Sequence, residues 1–260
     1  MKLLEGRRTK EEFELFRETL FSDNEEKIKK FISEQIINQK GEYYPNIKRK
    51  TYEDKSEYEG QIFNNKREGL GILHNKNGEV YFGDWSNNIM EGTGVYIFSN
   101  GERYEGQFVK GVREGVGKYT FFNGNYYQGD WANGKRHGYG RYYYFGTDEK
   151  YEGEFKNGVR EGTGVFIYAY GDIYEGSFLH NKKHGQGKIT FIGGDVYEGD
   201  WFEDFCSGEG TMAYSNGDKF TGKWIKGKKN GEGIYRFSDG STYEGEFHND
   251  MRHGKGTMDY

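Results

Sequence analysis

Cysteine and proline are almost missing: one of each in 260 residues. The lone thiol, Cys206, excludes an internal disulfide framework and a multi-cysteine zinc site. A reducing, intracellular compartment is the simplest expectation. Long hydrophobic runs are missing too. The longest apolar stretch, Val165 to Tyr170, has six residues, far short of the ~20 that a bilayer-spanning helix needs. Met1-Lys2-Leu3-Leu4-Glu5 carries no apolar core of a leader, so no secretory signal is expected. Positive charge is not in excess either: 37 Lys+Arg face 42 Asp+Glu, a net −5, which disfavours nucleic acid as a partner.

What is present is unusual. Hydrophobic content is 33% and mean hydropathy −1.03, values that by themselves suggest disorder. An aromatic content of 18% argues the other way. Glycine supplies 42 residues, against an ordinary share of about 7%. A chain so rich in Gly, Tyr and Phe does not predict a conventional layered core.

The explanation is a repeat. Aligned on Tyr-x-Gly-x-aromatic, nine copies begin at Tyr58, Tyr81, Tyr104, Tyr127, Tyr151, Tyr174, Tyr197, Phe220 and Tyr243. Seven of the eight steps are 23 residues, and the step from Tyr127 to Tyr151 is 24. In the third copy, Tyr104, Gly106 and Phe108 alternate with Glu105 and Gln107, the period of a strand. Three residues after the second aromatic the position is always Gly, Asn or Asp (Asn65, Asn88, Gly111 and their equivalents), residues that tolerate a left-handed backbone and mark a turn. A Gly-x-Gly pair such as Gly115 and Gly117 opens a second strand, in which Tyr119 and Phe121 alternate with Lys118 and Thr120. Asn-Gly or Asp-Gly then marks a second turn, as at Asn123-Gly124 and Asp239-Gly240. The fold expected over 58–260 is an all-β antiparallel meander of about eighteen short strands.

Each glycine inside a strand costs roughly 0.5–1 kcal/mol. Gly106 shares a face with Tyr104 and Phe108, and the missing side chain leaves room for a ring from a neighbouring strand. Aromatic pairing, at about 0.5–1.5 kcal/mol per pair, can offset that cost. Two registers are open between copies. A two-residue turn pairs Tyr104 with Ile97; a three-residue turn with a glycine bulge pairs it with Tyr96 and gathers the aromatics on one face. The second is favoured.

The Tyr-Glu-Gly-Glu-Phe start, the following Gly-x-Gly and the 23-residue period resemble MORN repeats over residues 58–260. The departures are Ile62 in place of an aromatic, Phe220-Thr221 in place of Tyr-Glu, and the one-residue insertion within Phe145-Gly146-Thr147-Asp148. The resemblance implies an elongated single-layer sheet of stacked hairpins and a scaffold for protein assembly. It points first to a cytoplasmic, cytoskeletal complex, with subunits of a cilium or axoneme as partners. A peripheral phosphoinositide-binding, membrane-tethering adaptor is the alternative that it leaves open.

Residues 1–57 differ in kind and read as an α-helical N-terminal segment with a linker. Thr9-x-x-Glu12 and Ser22-x-x-Glu25 look like capping boxes. Ile28, Phe31, Ile32 and Ile36 form one apolar helical face. Gly41 is a plausible stop and Pro45 marks an extended linker. A helix that caps the first repeat is the plain reading; one that binds a partner is the sharper one.

No catalytic residue, cofactor or metal site is expected. The repeated Gly-x-Gly lacks the strand–loop–helix setting of a phosphate loop. His137, His184 and His253 recur one per copy, and copies about 9–10 Å apart do not share a metal. Glu105, Glu152, Glu175, Glu198 and Glu244 recur in one register as a polar face, not as a catalytic pair. The turn inside each copy says more. Seven of nine carry a base there: Lys66-Arg67, Arg113, Lys135-Arg136, Arg160, Lys182-Lys183, Lys228-Lys229 and Arg252. These form a basic rim, read either as protection of turns and edges or as a seat for anionic lipid or an acidic protein. The two exceptions, Ile89-Met90 and Phe205-Cys206, are candidate partner-docking points. The last strand, Gly254 to Tyr260, predicts pairing with a partner strand or a second copy.

Overall fold

A computed structural model describes residues 47–260; the two helical stretches expected before Gly41 lie outside the described residues. The chain divides into two compact units, residues 1–99 and 100–260. In the first, β1 (Ile47–Thr51), β2 (Glu57–Phe63), β3 (Lys66–His74), β4 (Val80–Ser86) and β5 (Ile89–Ile97) form an antiparallel meander. In the second, fourteen strands run in the same way from β6 (Arg103–Val109), β7 (Val112–Thr120) and β8 (Tyr126–Ala132) to β19 (Met251–Asp259), each antiparallel to the next. The expected all-β repeat meander is therefore what the chain forms, and no described residue is helical. One strand was not foreseen. β1 falls in the stretch read as linker, and its sequence Ile-Lys-Arg-Lys-Thr has no period-two apolar pattern to reveal it. It is held by pairing with β2 and by an Arg49–Glu59 ion pair at 3.0 Å.

The turns obey the residues that make them. Inside the third copy, Lys110 (φ 50°) and Gly111 (φ 80°) give two successive left-handed residues, the tight turn whose twist matches paired strands. Asn181, Asp204 and Asp250 hold the same position in their copies with φ of 70°, 74° and 70°. Between the third and fourth copies, the Phe121 N–H donates to the Asn125 carbonyl at 2.8 Å and the Gly124 N–H to the Phe121 carbonyl at 3.0 Å. With Gly124 at φ 85°, this is the three-residue loop closed by a glycine bulge. It sets Tyr127 opposite Tyr119, and Tyr174, Phe220 and Tyr243 opposite Phe166, Met212 and Tyr235. The favoured register holds, and the aromatics gather on one face.

That face is the core. Tyr58, Tyr81, Tyr104, Tyr127, Tyr151, Tyr174, Tyr197 and Phe220 are fully buried. In the second unit each ring lies edge-on between the second aromatic of its own copy and that of the next: Tyr104 meets Phe108 and Trp131, both at 5.1 Å, and Tyr151 meets Phe155 at 5.2 Å and Phe178 at 5.0 Å. The Trp131 Nε1–H donates to the Gly117 carbonyl at 3.1 Å, tying one copy to the one before.

The two strand glycines of each copy make room for different things. A Cβ on Gly117 would stand 2.4 Å from the Tyr104 hydroxyl and 2.6 Å from its ring, so a ring from the neighbouring strand does need that glycine. A Cβ on Gly106 would instead meet the facing backbone, Gly117 Cα at 2.5 Å and the Val116 carbonyl at 2.6 Å, and the hydroxyl of its own strand's Tyr104. The two glycines lie directly opposite each other, and the tyrosine ring folds over the pair until its hydroxyl donates to the Gln107 carbonyl at 2.9 Å. On the other face of the first unit, Ile72, Phe82 and Val95 make a small apolar cluster with Leu70, Val80 and Ile97 against it.

Candidate binding surfaces

The basic rim divides in two. One base per copy belongs to the core face. The Arg113 guanidinium lies 4.7 Å from the Trp131 ring and 5.2 Å from Tyr119, and its Nη2 donates to the Gly134 carbonyl at 2.8 Å. Arg136 and Arg160 repeat this, donating to Gly158 and Asn181 at 2.6 and 2.7 Å. Arg67 does so in the first unit, over Trp85 and onto the Asn88 carbonyl. Lys183 sits 4.4 Å from the Trp201 ring, Lys229 5.5 Å from Phe220 and Arg252 5.4 Å from Tyr243. The same residues bond through their backbones: the Arg113 carbonyl accepts from Gly134 N–H and the Lys183 carbonyl from Asp204 N–H, both at 3.0 Å. Burial pushes the Arg136 and Lys183 pKa values down, the cost of seating a cation among rings. Cation–π attraction offsets that cost, joined at Arg136 by its bond to the Gly158 carbonyl. Arg67, Arg113, Arg136 and Arg160 thus clasp each turn to the next through side chain and backbone, and Lys183 and Lys229 through the backbone; Arg252, in the last copy, is exposed.

The other bases, Lys66, Lys135, Lys182 and Lys228, are exposed on the turn edge. Their position in the remaining copies is apolar: Ile89, Val112, Val159, Phe205 and Met251. Ile89 and Phe205, 46% and 51% exposed, thus belong to a wider apolar set at this edge. Phe205 faces Phe202 across its turn, and both are exposed. Met90 and Cys206 take the clasping base's place beside Trp85 and Trp201. Burial pushes the Cys206 thiol up to about 11, with Lys183 opposing the shift.

Within each unit further tyrosines lie on the core face. Their hydroxyls engage carboxylates that the sequence reading missed: Tyr96 donates to Glu79, Tyr119 to Glu102 and Tyr235 to Asp218, at 2.8, 2.6 and 2.8 Å. The only signal was an acid recurring just after the second turn. The tyrosine hydroxyls hold the Glu102 and Asp218 pKa values below the usual carboxylate range. The glutamate row lies on the opposite face, where Glu152 pairs across strands with Arg141 at 3.0 Å and Glu105 along its own strand with Arg103 at 2.7 Å. Desolvation pushes the Glu105 pKa up, with Arg103 opposing. A shallow hollow there is lined by Tyr139, Arg141, Tyr143 and Glu152, and the Tyr139 hydroxyl and Arg141 both donate to Glu152.

Of the histidines, His137 is exposed, His184 lies 5.1 Å from the Phe202 ring and His253 5.6 Å from His248. Among the described residues no three of His, Cys, Asp or Glu are placed to hold a metal ion. The last strand, Met251–Asp259, pairs with the strand Thr242–His248 on one side, and Met251 and Tyr260 are exposed.

The MORN-repeat family model matches residues 58–80, 81–103, 104–126, 127–146, 151–173, 174–196, 197–219, 220–242 and 243–260, and the chain belongs to the MORN-repeat family. This is a family of binding repeats rather than a catalytic one. No curated protein sequence matches the chain. Among solved structures, the TCP10 domain of Danio rerio CPAP in complex with a peptide of Danio rerio STIL is similar at 11% identity, with 78% of this chain and 91% of that one covered and a TM-score of 0.47. The TCP domain of Drosophila melanogaster SAS-4 in complex with a proline-rich motif of Ana2 is similar at 14% identity, with 76% and 88% covered and a TM-score of 0.34. Likeness at these scores says nothing about function.

Proposed function

We propose that the chain is a non-enzymatic scaffold that binds proteins and assembles them into a cytoskeletal complex. One observation carries this reading. Bases seated over rings and tyrosine hydroxyls bonded to carboxylates recur as structural devices from copy to copy, whereas large apolar side chains such as Phe63, Phe122, Phe145, Ile192 and Phe202 stand exposed at turns and edges. Exposed apolar surface in a regular array suits a docking partner better than a small substrate. The cytoskeletal location, and a cilium or axoneme as the first place to look, rest on the family resemblance alone. Tagged full-length protein, crosslinked in cells and purified for mass spectrometry, is expected to bring down cytoskeletal subunits. Recovery of no protein beyond chaperones, or of soluble metabolic enzymes alone, contradicts the proposal. The exposed Lys66, Lys135, Lys182 and Lys228 support a second reading: a phosphoinositide-binding adaptor that tethers membranes.

A further inference from the structure

Four large side chains stand almost wholly in solvent along one edge of the second unit: Phe122 (80% exposed), Phe145 (75%), Tyr170 (86%) and Ile192 (75%). Each lies in the loop that joins one copy to the next, in four consecutive copies. Phe122, Phe145 and Ile192 share one loop position, and Tyr170 is one residue further on in its loop. In the two later loops that position holds Ser215 and Ser238.

The row is built rather than loose. Asn125 Oδ1 accepts the Phe145 N–H at 2.8 Å and Asp172 Oδ1 the Ile192 N–H at 2.9 Å, so the Phe145 and Ile192 loops are each fixed to the one before. Phe145 and Ile192 lean on the preceding loop glycines: a Cβ on Gly124 would come within 2.8 Å of the Phe145 ring, and one on Gly171 within 3.1 Å of Ile192. Strand spacing puts successive loops about 9–10 Å apart. Single exposed apolar residues are ordinary, but four in register on one edge form a ridge. The same loops, 121–125, 144–149, 168–172 and 191–195, contain Asp148, Glu149, Asp172 and Asp195 and no Lys or Arg.

We propose that this edge docks an amphipathic helix of a partner protein, about 20 residues long, with apolar residues seven apart and Lys or Arg beside them. Seven helical residues rise about 10.5 Å, close to the loop spacing, and ~20 residues cover the ~30 Å from first loop to fourth. The carboxylates select a basic helix. They also set this edge against an anionic membrane surface, which would be repelled. The proposal deepens the scaffold reading by naming a surface and a partner chemistry, and it can fail while that reading stands.

The probe is a labelled helical peptide of about 20 residues with Leu at every seventh position and flanking Lys, titrated with the full chain and followed by fluorescence anisotropy. Two comparisons accompany it: a peptide of the same composition with scrambled order, and the full chain carrying Phe122→Ser, Phe145→Ser, Tyr170→Ser and Ile192→Ser. The four-serine variant is expected to bind at least about tenfold more weakly with an unchanged unfolding midpoint, because the replaced side chains are exposed. Asp148→Lys with Glu149→Lys is expected to weaken binding several-fold. Equal binding of the scrambled peptide, or full binding by the four-serine variant, overturns the proposal. So does loss of vesicle pelleting in the four-serine variant without loss of peptide binding, which would make the ridge a membrane edge. If the four-serine variant still captures cytoskeletal subunits in cells, the scaffold reading survives and the ridge does not.

Discussion

The eighth copy lacks one buried hydroxyl that the other copies have. In the others the leading tyrosine donates to the carbonyl three residues on, at 2.9 Å for Tyr104 to Gln107 and 2.9 Å for Tyr197 to Asp200. Phe220 is buried in the same way, over Gly222 and Gly233, with no such donor. Phe220→Tyr is therefore expected to stabilise by about 1 kcal/mol and Tyr104→Phe to destabilise by about as much. In a domain of this size that is roughly 2–4 °C in Tm each way, read by calorimetry. Shifts of the same sign in both variants would sink the argument. Cys206 offers a test of burial at the same scale. Its thiol is pushed up to about 11, so little thiolate exists near neutral pH. Alkylation of the folded protein is expected to be slow at pH 8 and to keep rising with pH towards about 11, instead of levelling near the ~8.5 of a free thiol. Fast labelling of the folded chain at pH 7.5 would show that the clasp position beside Trp201 is open.

At the scale of the element, the hairpin was legible and its clasp was not. Alternation, the Gly-x-Gly and the two turn signals specify strands, turns and register, because each is a local property of a few adjacent residues. The clasp joins residues 21 apart, such as Arg113 and Gly134. The sequence shows only a base near a turn, which reads equally well as a solvated rim. The further core-face tyrosines hide in the same way, since the bond from Tyr119 to Glu102 joins residues 17 apart across a whole hairpin. β1 is invisible for the opposite reason: pairing with β2 makes it a strand, and no apolar pattern announces it. The clasp has a measurable consequence. Arg113→Ala removes a cation over Trp131 and a donor to Gly134, at an expected cost of about 1–2 kcal/mol. Arg113→Met is expected to cost less, because a long apolar stem still fills the place, as Met90 does beside Trp85. Native-state hydrogen exchange would locate the damage. Faster exchange at the Gly134 amide in the alanine variant is the signature, and unchanged exchange there would mean that the arginine only decorates the surface.

For the whole molecule the question is where its positive charge is free to act. Net charge is −5, and the clasp consumes one base per copy in six of the nine copies. Within the second unit the exposed lysines at the first position after the turn are Lys135, Lys182 and Lys228, each two copies from the next. Two copies are four strands, roughly 19 Å, more than twice the ~8 Å screening length at physiological salt. Lys182 is also partly answered by Glu203 at 3.5 Å. Separate, screened charges on an acidic chain make a weak seat for a membrane, even though the sequence lists them as a continuous rim. The full chain is therefore expected not to pellet with phosphoinositide-containing vesicles at ~0.15 M salt, and to do so weakly, if at all, near ~0.01 M, where the screening length grows to ~30 Å. Lys135→Glu, Lys182→Glu and Lys228→Glu together should abolish that residual binding and leave the unfolding midpoint unchanged, since none of the three clasps a turn. Robust pelleting at ~0.15 M salt that this triple variant removes would establish the lipid-tethering reading over the protein scaffold.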